Sequence, residues 1–402
     1  MRLELHPIAD PDWRDIRMPD PERQDEAPLA NAIERGRLAA LGELSTLLPE
    51  LPIEDLAQTT DSATFSTGSA TPDLRELFDV EEQLDRLLTW GSLHGEQLLL
   101  VREQERPAPS SFLVRTGPNG RIRARVGEIG AFLREGFTVV LNGIELRDRA
   151  SMLLAEATER VFGTVVNING YLSLRPRMSF GAHWDDQETI ILQLHGRKHW
   201  LVEEPRSLSM QRNVHGSDTS GRPVWDGTLT PGSSLYVPRG WGHQVRSLDE
   251  LSYHYTVTIP RLNGVRILDA IVASREPREM AHRCLPMAAR EDPFDGLELD
   301  VAPDQIDGVI ARSRATMTSR STQRLSIQRR ALEGSTRGLW VRCPYPGGWT
   351  VARGADGRPD RVAAAGSQYS VDPAQLPRLA NWVDGIGRPW PDDREDRAEV
   401  AA

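Results

Sequence analysis

His183 and Asp185 stand two residues apart in FGAHWDDQETIILQLHGRKHW (residues 180–200), which runs directly into the apolar segment Thr189-Ile190-Ile191-Leu192. In an extended strand, side chains two apart leave the same face. An imidazole and a carboxylate therefore project together, while Trp184 and Asp186 project from the opposite side. That parity favours Asp185 over its neighbour Asp186. Together the pair supplies two members of a two-histidine, one-carboxylate facial triad, the arrangement that leaves open positions on non-haem Fe(II). The third candidate lies in PGSSLYVPRGWGH (residues 231–243). There Pro238 and Gly240 turn the chain sharply at a strand end, and His243 enters the next strand aimed inward.

Such a triad needs rigid elements to hold it. From Thr164 to Pro260 the chain alternates short β-branched runs (TVVNI, YLSL, TIILQL, HWLV, SLYV, SYHYTVTI) with Gly, Pro and Asp turns, the pattern of a sandwich or barrel. Helical spacing is read at Leu29–Leu48, Asp73–Trp90, Val126–Leu133 and Arg147–Phe162, the last stopped by Gly163 in the position of a helix C-cap. Gln97–Val101 and Phe137–Leu141 read as buried strands. The Ser/Thr-rich segment Gln58–Thr71 reads as a linker. Beyond Pro260, helices are expected at Val265–Arg275 and Asp304–Leu332. A β-hairpin is expected at Trp340–Arg353, with Pro346-Gly347-Gly348 at its turn, and a short helix at Pro373–Val383, before a polar tail.

The net charge of −10 argues against a general nucleic-acid surface and would suit a basic peptide or protein partner. Cys284 and Cys343 are far apart and not in CxxC spacing, which excludes a disulfide framework or a cysteine zinc site and fits a reducing cytosol. No signal peptide and no membrane-length apolar window is expected, so the reading is cytoplasmic. Neither phosphate-loop glycine pattern occurs.

The ordered set Asn169-Gly170-Tyr171, His183-x-Asp185, Leu192-Gln193-Leu194-x-Gly196-x-Lys198-x-Trp200, Leu235-Tyr236-Val237-Pro238-Arg239-Gly240-Trp241, His243 and Ser252-x-His254-x-Thr256-Val257 resembles the JmjC-type, cupin-fold 2-oxoglutarate oxygenases, most closely their bacterial ribosomal-oxygenase-like branch. The resemblance spans roughly residues 135–260. It implies an α+β chain with a mainly β core, a double-stranded β-helix carrying N-terminal helices and a helical plus small winged-helix-like C-terminal region. The expected division is 1–72 as an extension and linker, 73–260 as the catalytic domain, 261–335 as a dimerisation-like helical region and 336–402 as the small module.

The resemblance also implies Fe(II) held by His183, Asp185 and His243, with 2-oxoglutarate and O2 as co-substrates. A carboxylate left inside an apolar barrel needs a cationic partner. Of the adjacent Arg197 and Lys198, only one can face inward on a strand, and the resemblance selects Lys198. In relatives the residues matching Tyr171 and Asn169 lie by the co-substrate. His254 reads as a packed, hydrogen-bonded histidine, and His195 and His199 read as structural. The implied reaction is hydroxylation of an amino-acid side chain of a protein or peptide, a ribosomal histidine or arginine being the first guess, by a homodimer without direct nucleic-acid contact. Two other classes compete: a metal cupin acting on a small molecule without 2-oxoglutarate, and a non-catalytic cupin binding protein. Lys198 and Tyr171 discriminate, because only a bound dicarboxylate requires them.

Overall fold

The computed structural model describes residues 6–9, 16–59, 65–69, 80–86, 88, 97–103, 105–117, 120–205, 221–249, 251–274, 303–315, 340–341, 349–354, 357–364, 367–386 and 388–389. In chain order its strands are β1 (His6–Pro7), β2 (Ser66–Ser69), β3 (Leu98–Val101), β4 (Leu113–Thr116), β5 (Arg121–Ala124), β6 (Thr138–Leu141), β7 (Asn167–Ser173), β8 (Glu188–His195) and β9 (Lys198–Glu204). They continue with β10 (Arg222–Leu229), β11 (Ser233–Val237), β12 (Gly242–Ser247), β13 (Ser252–Ile259), β14 (Trp340–Val341), β15 (Thr350–Arg353), β16 (Pro359–Ala364), β17 (Ser367–Ser370) and β18 (Arg388–Pro389).

One compact unit is built on Arg37–Arg261. Its larger sheet has seven antiparallel strands in the order β2-β11-β8-β13-β7-β6-β3, and its smaller sheet has three in the order β10-β9-β12. The inner faces of the two sheets share a core in which Ile191, Leu235 and Val237 from one meet Trp200, Val202 and Leu229 from the other. The outer face of the large sheet, through Ile190, Leu192, Tyr253, Tyr255 and Val257, packs in a second core with the helices. β8 is covered on both faces and paired on both edges, which is why TIILQL runs apolar without alternation. Antiparallel sheets facing one another around a common interior form the double-stranded β-helix that the sequence motifs imply.

The helix Arg149–Phe162 shows how local signals set the boundaries. Asp148 caps its start by accepting from the Ser151 N–H at 2.9 Å, and Gly163 ends it in the left-handed region at φ 66°. The helix Ala27–Leu47 and the short helix Ile53–Gln58 place Leu44, Leu48, Ile53 and Leu56 in the core against the large sheet. The segment expected as a linker behaves otherwise: Ser66–Ser69 is β2, paired with β11 from Ser233 to Tyr236. Small polar side chains disguised it, because an edge strand is held by backbone hydrogen bonds and needs no apolar alternation.

The other unit gathers Met1–Gly36 with the chain after Leu262. Its four-stranded sheet β1-β17-β16-β15 packs Val351 and Val362 with Leu29, Ala32, Leu376 and Leu379. Leu29 and Ala32, from the stretch expected as an extension, are therefore built into this core. Among the described residues the two arms expected to form a hairpin at Trp340–Arg353 pair elsewhere: β14 with β18, and β15 with β16. Its proposed turn, Pro346-Gly347-Gly348, lies outside the described residues, as do most of the helix expected at Asp73–Trp90 and the second half of that expected at Asp304–Leu332. The helices Gly264–Ser274 and Pro303–Ala315 fall where periodicity places them.

Candidate metal centre

His183 and Asp185 lie just before β8, and His243 lies in β12. The segment carrying the first two is not a regular strand. It is a bridge: the His183 N–H donates to the His243 carbonyl at 3.0 Å, and the His243 N–H donates back at 2.7 Å. A third backbone bond, from the Gly240 N–H to the Asp185 carbonyl at 2.9 Å, fixes the Pro238–Gly240 corner against the same segment. Three backbone bonds thus bring together residues far apart in sequence.

The side chains converge. One ligand atom from each of His183, Asp185 and His243 lies within 4.8 Å of the others, and the His183 and His243 ring centres are 4.3 Å apart. His243 Nε2 is 3.7 Å from an Asp185 carboxylate oxygen. His183 Nδ1 sits 2.9 Å from the Gly181 carbonyl oxygen, and His243 Nδ1 3.3 Å from that of Trp241. A carbonyl only accepts, so each Nδ1 carries a proton, which leaves Nε2 as the ring atom that can turn to a metal. Burial, reinforced by the neighbouring His183, pushes the His243 pKa down to about 4 against the opposing pull of Asp185, so the ring is neutral at ordinary pH. Two imidazoles with fixed ring orientations and one carboxylate fit a single divalent ion, and the open-faced set suits Fe(II).

Lys198 opens β9, where Lys198, Trp200 and Val202 point inward and alternate with half-buried His199, Leu201 and Glu203. It is 1% exposed. Its Nζ is 3.0 Å from the Tyr171 carbonyl oxygen and 2.8 Å from His254 Nδ1, both uncharged partners. Desolvation lowers its pKa to about 7. Arg197 points the other way and pairs with Asp249 on the surface. The parity argument thus separates the two cations.

Tyr171 stacks on His254, with ring centres 4.7 Å apart and planes 4° from parallel, and Trp200 meets His254 edge-on at 5.6 Å. Burial and then the charge of Asp185 raise the Tyr171 pKa, so the phenol stays protonated. Asn169 accepts from the Gly143 N–H at 3.2 Å and hydrogen-bonds Tyr171. His254 is held well below the ordinary histidine range by burial and by Lys198. The six residues singled out from sequence accordingly lie on inward-facing positions of β7, β9 and β12 and the segment before β8. His195 and His199 bond instead to the Leu251 carbonyl and to Asp226.

Two contacts were not anticipated from sequence. His254 is the immediate partner of Lys198, and Asp186, set aside as the wrong-facing carboxylate, pairs with Arg239 at 2.6 Å from Nε. The signal for the second was present: one carboxylate in excess beside the triad, and one unassigned cation in VPRGWGH.

Residues 140–266 match the JmjC domain family, so this chain carries a JmjC domain, the cupin class that the barrel and its His-Asp-His set define. Among curated proteins it is similar to the bifunctional lysine-specific demethylase and histidyl-hydroxylase NO66 of Caenorhabditis elegans, 34% identical over 156 residues, covering 37% of this chain and 21% of that protein. It is also similar to ribosomal oxygenase 2 of Bos taurus, 38% identical over 107 residues, covering 26% of this chain and 23% of that one. The chain thus spans less than a quarter of the length of these relatives. Among solved structures, YcfD, a ribosomal oxygenase from Escherichia coli, in complex with cobalt and 2-oxoglutarate, aligns at 17% identity with a TM-score of 0.46, over 87% of this chain and 94% of that one. No helix among the described residues is long and apolar enough to cross a membrane.

Proposed function

We propose that this protein is an Fe(II)- and 2-oxoglutarate-dependent oxygenase that hydroxylates an amino-acid side chain of a protein substrate. The observation that carries the reading is Lys198. A lysine ammonium buried, among the described residues, beside a carbonyl oxygen and an imidazole nitrogen carries a desolvation cost that an anion entering the barrel would offset. A dicarboxylate chelating a metal at the triad places its second carboxylate inside the same barrel. A metal cupin working without such a co-substrate has no use for this cation.

His183, Asp185 and His243 would hold the metal, which when bound supplies chelation of the 2-oxo acid and the activation of O2. The chain's own contribution is positioning. The Gly181 and Trp241 carbonyls fix both imidazole rings. Lys198 receives the distal carboxylate, while Tyr171, His254 and Trp200 wall the pocket and limit water. Tyr171 remains a neutral phenol able to donate a hydrogen bond.

For the substrate, the relatives named as a histidyl-hydroxylase and as a ribosomal oxygenase support a protein side chain, with a ribosomal protein first. The net charge of −10 supports a basic protein rather than a nucleic acid as partner. The same reading takes the enzyme as a cytoplasmic homodimer. The test is mass spectrometry of ribosomal proteins treated with enzyme, Fe(II), 2-oxoglutarate and O2. One protein should gain a single oxygen on one side chain, and the gain should vanish without 2-oxoglutarate. Turnover of 2-oxoglutarate with every ribosomal protein unmodified would turn the search to other substrates; no turnover at all would reject the class.

A further inference from the structure

On a chain of net charge −10, one stretch runs the other way. From Arg106 to Gly127 there are five arginines and no Asp or Glu, where the chain's average of 58 acids in 402 residues would place about three. The stretch carries β4 and β5, which form a two-stranded sheet of their own. Leu113, Ile122 and Ala124 turn into the main core. Arg121, Arg123 and Arg125 alternate with Ile122 and Ala124 and are exposed, so they leave from the opposite face, about 6.8 Å apart along the strand. Arg115, across the hairpin, is exposed as well. Among the described residues none of these four side chains forms a hydrogen bond or ion pair, whereas the exposed Arg35, Arg197 and Arg222 face Asp384, Asp249 and Glu204. Of the acids flanking the stretch, Glu105 is taken by Arg102 at 2.6 Å.

We propose that the β4–β5 hairpin is a contact surface for the phosphate backbone of a nucleic acid, with Arg121, Arg123 and Arg125 as its phosphate ligands. A guanidinium keeps its charge at every working pH and meets phosphate oxygens with two parallel N–H bonds. The packed opposite face of the hairpin holds the three at a fixed spacing. Beside them the exposed face offers only Val114 and Thr116, with no aromatic or large apolar anchor of the kind on which protein interfaces are centred. Charge and repeat are what remain, and they suit a regular polyanion bound without reading its sequence. The net charge of −10 opposes such binding over the whole surface, so the contact is local to this hairpin. It departs from the expectation, drawn from that net charge, of a chain without nucleic-acid contact, and it stands apart from the metal centre.

The test is fluorescence anisotropy of a labelled short single-stranded RNA titrated with the full chain, at several salt concentrations, with thermal unfolding in parallel. Three phosphate contacts on a single strand predict a slope of log affinity against log salt near about −2, and so a fall of about 20-fold between about 50 and 200 mM salt. R121Q/R123Q/R125Q should lose about tenfold or more at the lower salt and flatten the slope, by about 0.7 for each arginine removed. R121K/R123K/R125K should keep the slope, because the charge remains. R35Q/R197Q/R222Q removes as much charge from other exposed sites and should stay within about threefold of wild type. Wild type that leaves the RNA free at about 50 mM salt would overturn the proposal, since backbone binding is strongest there. A control triple variant as weak as R121Q/R123Q/R125Q would overturn it in favour of unspecific charge. Displacement of the RNA by polyglutamate as readily as by unlabelled RNA would overturn it in favour of an acidic protein partner. If the triple glutamine variant fails to fold, the slope of R123Q alone still decides.

Discussion

The Lys198 ammonium nitrogen lies 2.8 Å from Nδ1 of His254, inside the barrel. An ammonium only donates, so Nδ1 accepts and the His254 proton sits on Nε2. Stacking on Tyr171 at 4.7 Å holds the imidazole in plane for that bond. The Tyr171 carbonyl takes a second N–H of Lys198 at 3.0 Å. Among the described residues two of the three donors are thus used, and the third is left for a ligand.

Lys198→Met is therefore expected to weaken 2-oxoglutarate binding by about 100-fold, since losing one member of a buried charge pair costs about 2–5 kcal/mol. Lys198→Arg should retain affinity within about tenfold, and neither change should alter Mn(II) affinity by more than about threefold. Calorimetry with Mn(II) present measures both. Unchanged 2-oxoglutarate affinity in Lys198→Met would favour a cupin that uses no dicarboxylate.

Binding should also depend on pH. Burial lowers the Lys198 pKa from 10.5 to about 7, so above about pH 7 the empty site holds mostly neutral lysine. A dicarboxylate favours the charged form and raises the pKa on binding, so binding above pH 7 takes up a proton. Affinity is then level below about pH 7 and falls by up to about tenfold per pH unit above it. Lys198→Arg, charged throughout, should flatten that slope. Equal slopes in the two proteins would place the titration elsewhere.

Arg261 ties the end of β13 to β8 and to the helix Ile53–Gln58. Its Nε donates to Glu188 at 2.9 Å and a terminal nitrogen donates to the Ala57 carbonyl at 3.0 Å. The guanidinium also sits over the Phe162 ring at 5.2 Å. Arg261→Met leaves the buried Glu188 carboxylate without this cation and frees the end of the helix Ile53–Gln58. Urea unfolding should show a loss of about 2–4 kcal/mol, somewhat below a fully buried pair because Arg261 is partly exposed. A loss under about 1 kcal/mol would mean that water replaces the contact.

The site was legible where chemistry and strand parity coincide. Period-two alternation let only one of Arg197 and Lys198 face inward, the family resemblance pointed to Lys198, and a glycine-proline corner aimed His243 inward. What escaped sequence reading depends on pairing across the fold. β2 is an edge strand of Ser, Thr and Gly, recognisable only beside β11. Trp340 and Val341 find their partner strand almost fifty residues on, at Arg388–Pro389, because register is set by tertiary contacts that no local turn reveals. Asp186 was discounted by the same parity that selected Asp185, correctly as to facing; its partner Arg239 lies across the fold in VPRGWGH.

The most direct measurement is an anaerobic visible spectrum of the protein titrated with Fe(II) and then 2-oxoglutarate. The account predicts a weak metal-to-ligand charge-transfer band that needs both components. It should be absent in His183→Ala, and in Lys198→Met it should return only at much higher 2-oxoglutarate. Wild-type protein that binds Fe(II) yet gives no band at any 2-oxoglutarate concentration would contradict it.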